Sequence, residues 1–537
     1  MYIDIVPNRN SPPAVLLRES HREGKKVVKR TIANLSHLHP LRVEALRRAL
    51  KGDFDQFAGE AVSGPIFGIL FVLKEICDQL GIIRALGRGR LGRLILFLVM
   101  ARVAHQRSRL SAVRWAEQHA VREVLSLESF DEDDLYGALD EAAARQEKIE
   151  ARLYHDYLER RGGQPTLFLY DLTSTYLEGE QNELGEYGYN RDGKSGKKQI
   201  VVGLLTDEEG EPLAIRIFSG STGDPTTVPE QIEILRRQFE VASVVFVGDG
   251  GMVKSSGKEA LNEQGFCYIT ALSRPQIRKL LKRDVIQLGL FDEKVCEAKA
   301  DGLRYILRKN EAEARKEIHR MQDKLRVLEE QLQARNQKVA ASDRCKPEAG
   351  LKAARKKITL FRLDSFVDVR LEERMLVLEI DQVAQEQALS LAGCYVLETD
   401  VSDELLDSKQ VHQAYKNLSH LEQDWRRMKT GHLQIRPVYV RKKSRTEGHV
   451  FVCFLALKVL RELERRQKSS SADSLKGWTV TDALACLGRL CMNLYPLKDG
   501  QQVPLVPNPD AQQKELLDAL KVSLPESINR CTQKRKV

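Results

Sequence analysis

One stretch constrains this chain more than any other: Leu167-Phe168-Leu169-Tyr170-Asp171-Leu172-Thr173. Side chains alternate along a strand, so Leu167, Leu169 and Asp171 share one face and Phe168, Tyr170 and Leu172 the other. Both faces are apolar, as in a strand covered on each side. An ionised carboxylate there is costly unless a partner compensates it. A metal ion is one such partner, and an Arg or Lys another. Residues 243–247 repeat the pattern, an apolar run leading into Gly248-Asp249-Gly250-Gly251. A third acid lies on a helical pattern. Tyr415, Leu418, Glu422, Trp425 and Lys429 follow one another by 3, 4, 3 and 4 residues and form one stripe, which Val411 and Ala414 extend. The spacing predicts a single helix over 409–429 with Glu422 facing the interior. Three acids that each break a buried pattern predict one shared cation site.

The rest of the chain sorts by pattern into an α/β, multidomain protein; 537 residues exceed one domain. Residues 1–40 alternate apolar and polar between turns at Asn8-Arg9-Asn10, Pro12-Pro13 and Glu23-Gly24, as in a small β meander. Residues 41–162 read as a helical domain, including one long helix over 133–160, with basic loops suited to gripping DNA. Residues 163–272 run β-β-β-α-β-α-β. A right-handed crossover would set strand 243–247 beside strand 167–173, with Asp171 and Asp249 at one edge. Residues 273–398 interrupt that unit as a strand-rich insertion. Strands are expected at 294–300, 303–308, 358–363, 366–371 and 375–380. A charged helix over 311–337 carries the seam Ile318, Met321, Leu325, Leu328, Leu332. Residues 399–468 resume the unit with the third-acid helix, a basic loop Arg441-Lys442-Lys443-Ser444-Arg445 and an apolar helix at 450–463. Residues 469–537 form a C-terminal helical tail, with a helix over 480–495 and a basic end, Lys534-Arg535-Lys536.

Composition narrows the partners. The net charge is +9, and 85 basic residues allow local patches that favour phosphate backbones. Nine scattered cysteines without a CxxC pair point to reduced core thiols rather than a zinc site or disulfide framework. The N-terminus lacks a signal-peptide layout. Lys74, Glu75, Asp78 and Arg93 interrupt the apolar helices at 66–83 and 91–104, so neither reads as a membrane span. A cytoplasmic setting is expected.

Asp171 and Asp249 stand 78 residues apart, and Glu422 follows 173 later, an interval long enough to hold the insertion. Two Asp on neighbouring strands and a Glu on a later helix suit a pair of Mg²⁺ ions, which take oxygen ligands and keep waters; Mn²⁺ would substitute. Two such ions can activate a water or a 3′-hydroxyl and stabilise the leaving oxygen. A rival motif is Gly188-x4-Gly193-Lys194-Ser195, which fits the phosphate-cradling P-loop letter for letter. Its context does not fit: a polar loop precedes it, and a strand pattern at 199–205 follows where a helix is needed. The loop, with Lys194, Lys197 and Lys198, reads better as a basic turn near DNA. A P-loop nucleotidase and a non-catalytic DNA-binding relic are the alternatives. His412, His420, His432 and His449 have spacings that fit no compact metal site.

The helix pattern Tyr415-x2-Leu418-x3-Glu422-x6-Lys429 resembles the Y-(2)-R-(3)-E-(6)-K signature of DDE transposases of the IS4 superfamily. YDLTSTYLEGE around Asp171, VGDGGMVKS around Asp249 and RPVYVRKK…GHVFVCFLAL from Arg436 resemble the IS1634 family more closely, as does SHREGKKVVKRTIANL near the N-terminus. The resemblance implies an RNase H-like mixed-sheet catalytic core with a β-strand-rich insertion, and cut-and-paste transposition of double-stranded DNA at inverted-repeat ends, by a homodimer on DNA. It assigns Asp171, Asp249 and Glu422 to the metals, and Tyr415 and Lys429 to DNA phosphates. Arg436, Arg441, Lys442 and Lys443 would join the DNA contacts. Two positions depart from the pattern. The signature arginine is Leu418, so its phosphate contact does not carry over. The tryptophans, Trp115, Trp425 and Trp478, all lie outside the insertion, where the relatives keep an aromatic for a flipped base during hairpin formation.

Overall fold

The computed structural model describes residues 1–8, 12–23, 26–51, 61–292, 294–342, 344–436, 438–497 and 502–525. The expected turn residues Arg9, Asn10 and Gly24 and the basic end 534–536 lie outside the described residues. The N-terminal meander forms as expected from strands Tyr2–Val6, Ala14–Glu23 and Lys26–Asn34, all antiparallel.

Four helices of the next region bear on the site: α1 (Gly68–Gln79), α2 (Arg90–Ala104), α3 (Glu132–Ala144) and α4 (Gln146–Arg161). The single helix expected over 133–160 is therefore two. Arg145 leaves helical geometry between them, and its guanidinium donates to the Leu86 carbonyl at 3.1 Å. A strand not foreseen, Val62–Ile66, pairs with Cys491–Pro496, which also pairs with Gln502–Leu505. The helix expected over 480–495 accordingly stops at Gly488. The chain then crosses the start of α1, where the Leu490 carbonyl accepts the N–H groups of Phe67 and Gly68 at 2.9 and 3.0 Å. Those donors have no partner inside their own helix, which favours the crossing.

An eight-stranded mixed sheet forms the centre: β1 (Leu167–Tyr176), β2 (Gln199–Asp207), β3 (Pro212–Ser219), β4 (Val245–Gly248), β5 (Cys267–Ala271), β6 (Cys296–Ala300), β7 (Leu303–Lys309) and β8 (Cys394–Thr399). Their order is β6-β7-β8-β5-β4-β1-β2-β3. β1 pairs parallel with β4, and β4 parallel with β5; the remaining neighbours are antiparallel. The crossover from β3 thus brings β4 beside β1, as the pattern required. Alternation along β1 divides two cores. Leu169 joins Val202, Val247 and the helices around α1 to α3, whereas Phe168, Tyr170 and Leu172 join Phe246, Tyr154 and the helix Val228–Glu233.

In the insertion, β6 and β7 extend the central sheet through β8. Helices α5 (Glu311–Ala340) and α6 (Pro347–Phe361) form a hairpin over the strand pair Val367–Glu372 and Met375–Ile380, with a small core of their own. The strand expected at 358–363 is instead the end of α6. Leu351, Ala354, Ile358 and Phe361 recur at helical spacing and close on the Leu325, Leu328, Leu332 seam of α5, so the helical period prevails over the β-branched residues.

Three further helices complete the core: α7 (Ser408–Lys416), α8 (Leu418–Lys429) and α9 (Lys443–Lys468). α9 is buried along nearly two-thirds of its length. It approaches α3 so closely that a Cβ on Gly448 would lie 2.0 Å from the Leu139 carbonyl oxygen. The basic segment expected as a loop at 441–445 runs into the first turn of this helix. Its cap comes from elsewhere in the chain: Glu183 accepts the Lys443 N–H at 2.6 Å, which no local capping pattern could signal. Among the described residues, no helix is long and apolar enough to cross a membrane, and all eight described cysteines are free.

Candidate active site

The register of β1 and β4 decides where the first two acids stand. Tyr170 pairs with Gly248, so Asp171 and Asp249 are the next residues along two adjacent parallel strands, at the point where β4 ends and β1 runs on beside β2. Gly250 allows the chain to turn sharply there, since a Cβ would lie 2.1 Å from the Ala271 carbonyl oxygen of β5. Its N–H donates to Asp249 Oδ1 at 2.6 Å. Asp249 is exposed and Asp171 half-buried. Burial, with the charge of Asp249 added, pushes the Asp171 carboxyl up from 3.8 to about 6, against the opposing pull of the Leu172 N–H, Trp425 and Arg191. Among the described residues, no Lys or Arg forms an ion pair with Asp171, Asp249 or Glu422.

α8 docks on β1 by two side chains. Trp425 Nε1 donates to Asp171 Oδ2 at 3.0 Å, and Lys429 Nζ donates to Thr173 Oγ1 at 2.8 Å. Four residues of helix rise about 6 Å and two residues of strand about 6.6 Å, so positions four apart on α8 meet positions two apart on β1. The helix itself departs from expectation. It is broken at Asn417 into α7 and α8, and Glu422 is exposed rather than turned inward. The buried face of α8 is Leu421, Asp424, Trp425 and Met428. At roughly 100° per residue the stripe with Glu422 lies on the flank of that face, at the solvent edge of the sheet. Asp424 is the fully buried acid, held by Arg427 at 2.8 Å and Arg461 at 2.9 Å, which ties α8 to α9. Arg427 also pairs with Glu464 at 2.7 Å.

Trp425 was legible in the sequence only as an apolar member of the stripe; its indole N–H is what touches the acid. Trp425→Phe removes a bond that lowers the Asp171 pKa. The expected outcome is an acidic limb of the pH–rate profile moved to higher pH and a rate down by about tenfold at neutral pH, with DNA binding retained. Parallel pH profiles of the two proteins check it.

Tyr415 ties the third acid to the first two. Burial, and then the negative charges of Asp249, Asp171 and Glu422, hold its phenol above the usual range. The charges of all three acids thus reach one half-buried side chain. They do not form a closed cage: among the described residues, no three acid, histidine or cysteine side chains gather tightly enough to enclose an ion. The donor set nevertheless suits a hard cation, because its donors are all oxygens and burial, with the Asp249 charge added, holds Asp171 off its ordinary ionisation.

The expected DNA-contacting residues divide into two groups. Lys429 and Arg436 lie inside, both on Asp192, whose side chain is 2 % exposed; each stands 2.5 Å from its Oδ1. Arg436 reaches there because Val438 bridges to the end of β1, and its guanidinium lies over the Tyr176 ring. Lys194, Lys197, Arg441, Lys442 and Lys443 are exposed, with Lys198 half-buried, along the rim. Lys197 pairs with Glu178 at 2.7 Å, and Lys198 donates to the Glu180 carbonyl at 2.9 Å. Asp192 and the Arg191–Asp224 ion pair were not foreseen. The signal was present, since Asp192 is the lone acid in the basic run from Arg191 to Lys198. The P-loop alternative finds no support: residues 193–198 lead directly into β2, and no helix begins at Lys194 or Ser195. The four late histidines do not gather. His449 is buried against Arg109 and the Ile435 carbonyl, and His432 faces the Val103 carbonyl.

Comparison with known proteins shows the family of the chain. The transposase DDE domain matches residues 162–458, and the N-terminal domain of IS1634 family transposases matches residues 3–64. No curated protein matches the chain. Among solved structures, the piggyBac transposase synaptic complex with hairpin DNA shares 9% identity over 84% of this chain and 76% of that one, with a TM-score of 0.35. The Mos1 transposase paired-end complex with the left transposon end shares 10% identity over 34% of this chain and 58% of that one, with a TM-score of 0.15. At those scores neither likeness bears on the fold. The domain match spans more than half of the chain, from β1 through α9, and takes in Asp171, Asp249 and Glu422 alike, so this protein belongs to the DDE transposases, with the N-terminal domain of the IS1634 family.

Proposed function

We propose that this transposase acts as a divalent-metal-dependent DNA nuclease and strand transferase, cutting double-stranded DNA at inverted-repeat ends and joining the freed 3′-hydroxyl to target DNA. The observation that carries the reading is the pairing of β1 with β4, which sets Asp171 and Asp249 side by side with Glu422 on the flanking helix. The strand order β3-β2-β1-β4-β5, antiparallel for its first three strands and parallel for the rest, supports an RNase H-like core. The strands of the insertion then extend that core.

Asp171, Asp249 and Glu422 would hold two Mg²⁺ ions, with Mn²⁺ able to replace them. Bound there, the ions would lower the pKa of an attacking water or 3′-hydroxyl and neutralise the leaving oxygen. The chain's own residues do the rest. Trp425 fixes one oxygen of Asp171. Tyr415, kept protonated, can donate to a phosphate oxygen at the same edge. The exposed lysines and arginines of residues 194–198 and 441–443 would follow the DNA backbone on either side. Cutting two ends together calls for a second copy of the chain on the DNA.

The test uses the full chain and the DNA that flanks its own coding region. Inverted repeats should lie close on both sides. A duplex carrying one of them should be cut at the repeat boundary in Mg²⁺ or Mn²⁺ and left intact in EDTA. Binding without cutting in either metal would favour the relic, and metal-independent cutting would remove the site from the reaction.

A further inference from the structure

Asp192 occupies a position no catalytic assignment explains. Its Oδ1 lies 2.5 Å from both Lys429 Nζ and Arg436 Nη1, and its Oδ2 is buried without a hydrogen-bond partner. Lys429 also donates to Thr173, which shares a face of β1 with Asp171. The loop that carries Asp192 is tied at its far end by Lys197 to Glu178 and by Lys198 to the Glu180 carbonyl, and by local contacts nearer Asp192. The Arg191 N–H donates to Ser174 Oγ at 3.0 Å, the Asp192 N–H to Asn190 Oδ1 at 2.9 Å, and the Arg191 guanidinium pairs with Asp224. Gly193 and Gly196 sit at positive φ, and a Cβ on either would meet nothing within 4 Å, so space is open on the outer side of the loop.

We propose that Asp192 is an internal stand-in for a DNA backbone phosphate. It fills the Lys429–Arg436 subsite in the free protein, and the incoming phosphodiester displaces it. The inference rests on the reading of this edge as the DNA-cutting site. Two cations confined at one point repel unless an anion lies between them, so the free protein needs a resident negative charge there. A phosphodiester carries the same single charge as the carboxylate, and exchange leaves the buried cations compensated throughout. It also presents two oxygens to the two donors, whereas Asp192 engages both through one oxygen and leaves the other unsatisfied. The phosphate is the better-matched occupant, because a bidentate anion suits a guanidinium beside an ammonium. Loop 188–198 would then swing out through Gly193 and add its lysines to the DNA backbone. The contact serves as a brake: without DNA Asp192 fills the subsite, and phosphate binding releases the loop.

Asp192→Asn tests this, with binding of a short mixed-sequence DNA duplex measured over a range of salt. The variant keeps the shape of the side chain and removes the competing charge. The expected result is binding about fivefold tighter at low salt with the slope of log K against log salt unchanged, because parent and variant place the same number of phosphates on the same cations. A slope steeper by about 0.9, the share of a phosphate contact the parent never makes, or equal or weaker binding, in a variant that melts like the parent, would overturn the proposal and make Asp192 a fixed organiser of the two cations. Should Asp192→Asn not fold, hydrogen exchange in the unaltered protein decides. The amides of Arg191 and Asp192 are expected to exchange faster when the duplex is added, and unchanged or slower exchange there would overturn the proposal. Failure of the unaltered protein to bind any duplex is a separate result, and would count against the DNA-cutting reading itself.

Discussion

Asp171→Asn, Asp249→Asn and Glu422→Gln are each expected to abolish cleavage of end-bearing DNA, a loss on the order of 10³-fold or more, while DNA binding persists. Cleavage and gel-shift assays on the same preparations check both halves. The basis is that each acid supplies charge at one edge of the sheet, and the amides preserve shape without it. One of these variants carries a further signature. The Asp171 carboxyl titrates at about 6 in the folded chain against 3.8 unfolded. A carboxyl whose folded pKa is raised disfavours the fold once it is forced to ionise. The cost is absent below about pH 4 and complete above about pH 6. Metal-free Asp171→Asn is therefore expected to be more stable than the parent at pH 8, by on the order of 2 kcal/mol, and the advantage should shrink towards pH 4. Melts in EDTA at the two pH values measure it. The Asp171 charge thus disfavours the fold on its own, and a cation bound beside it would relieve that cost.

Asp424→Ala is the second large effect. Asp424 is fully buried between Arg427 and Arg461, so its removal leaves two guanidinium groups facing each other with only Glu464 to offset them. Breaking a buried pair in this way costs about 3–5 kcal/mol. Because this acid ties α8 to α9, the variant loses cleavage and thermal stability together. Glu422→Gln, two residues away on the exposed flank, is expected to lose cleavage alone. Melting curves beside cleavage rates separate the two: a normal melt for Asp424→Ala would remove it from the anchoring role.

The contrast between Glu422 and Asp424 also marks what the residues revealed unaided. Alternation in 167–173 and 243–247 is a local property, and the crossover rule sufficed to bring Asp171 and Asp249 to one edge. The stripe from Tyr415 to Lys429 was likewise real, since Trp425 and Lys429 do land on β1. Its direction was not legible, because Val411 and Ala414 belong to α7, across the break at Asn417, and say nothing about the buried face of α8. That face is set by partners on α9, some 37 residues along the chain, such as Arg461 for Asp424. Other misreadings share this cause. α9 begins at Lys443 because Glu183 caps it from 260 residues earlier. The helix after Val480 gives way to a strand because Val62–Ile66 offers an edge. In each case a distant segment supplies a hydrogen bond that no nearby spacing encodes. The Asp192 contact is of the same kind: a charge in an irregular loop, legible as odd but not as bound.

The central claim is that Asp171, Asp249 and Glu422 form one cation site on DNA. Anomalous scattering from Mn²⁺, in crystals of the full chain with an end-bearing duplex, tests it most directly. Anomalous peaks are expected at the β1–β4 edge, with oxygens of Asp171 and Asp249 in contact and Glu422 turned in to join them. Mn²⁺ absent from that edge, or bound there with Glu422 still directed to solvent and cleavage intact, would contradict it.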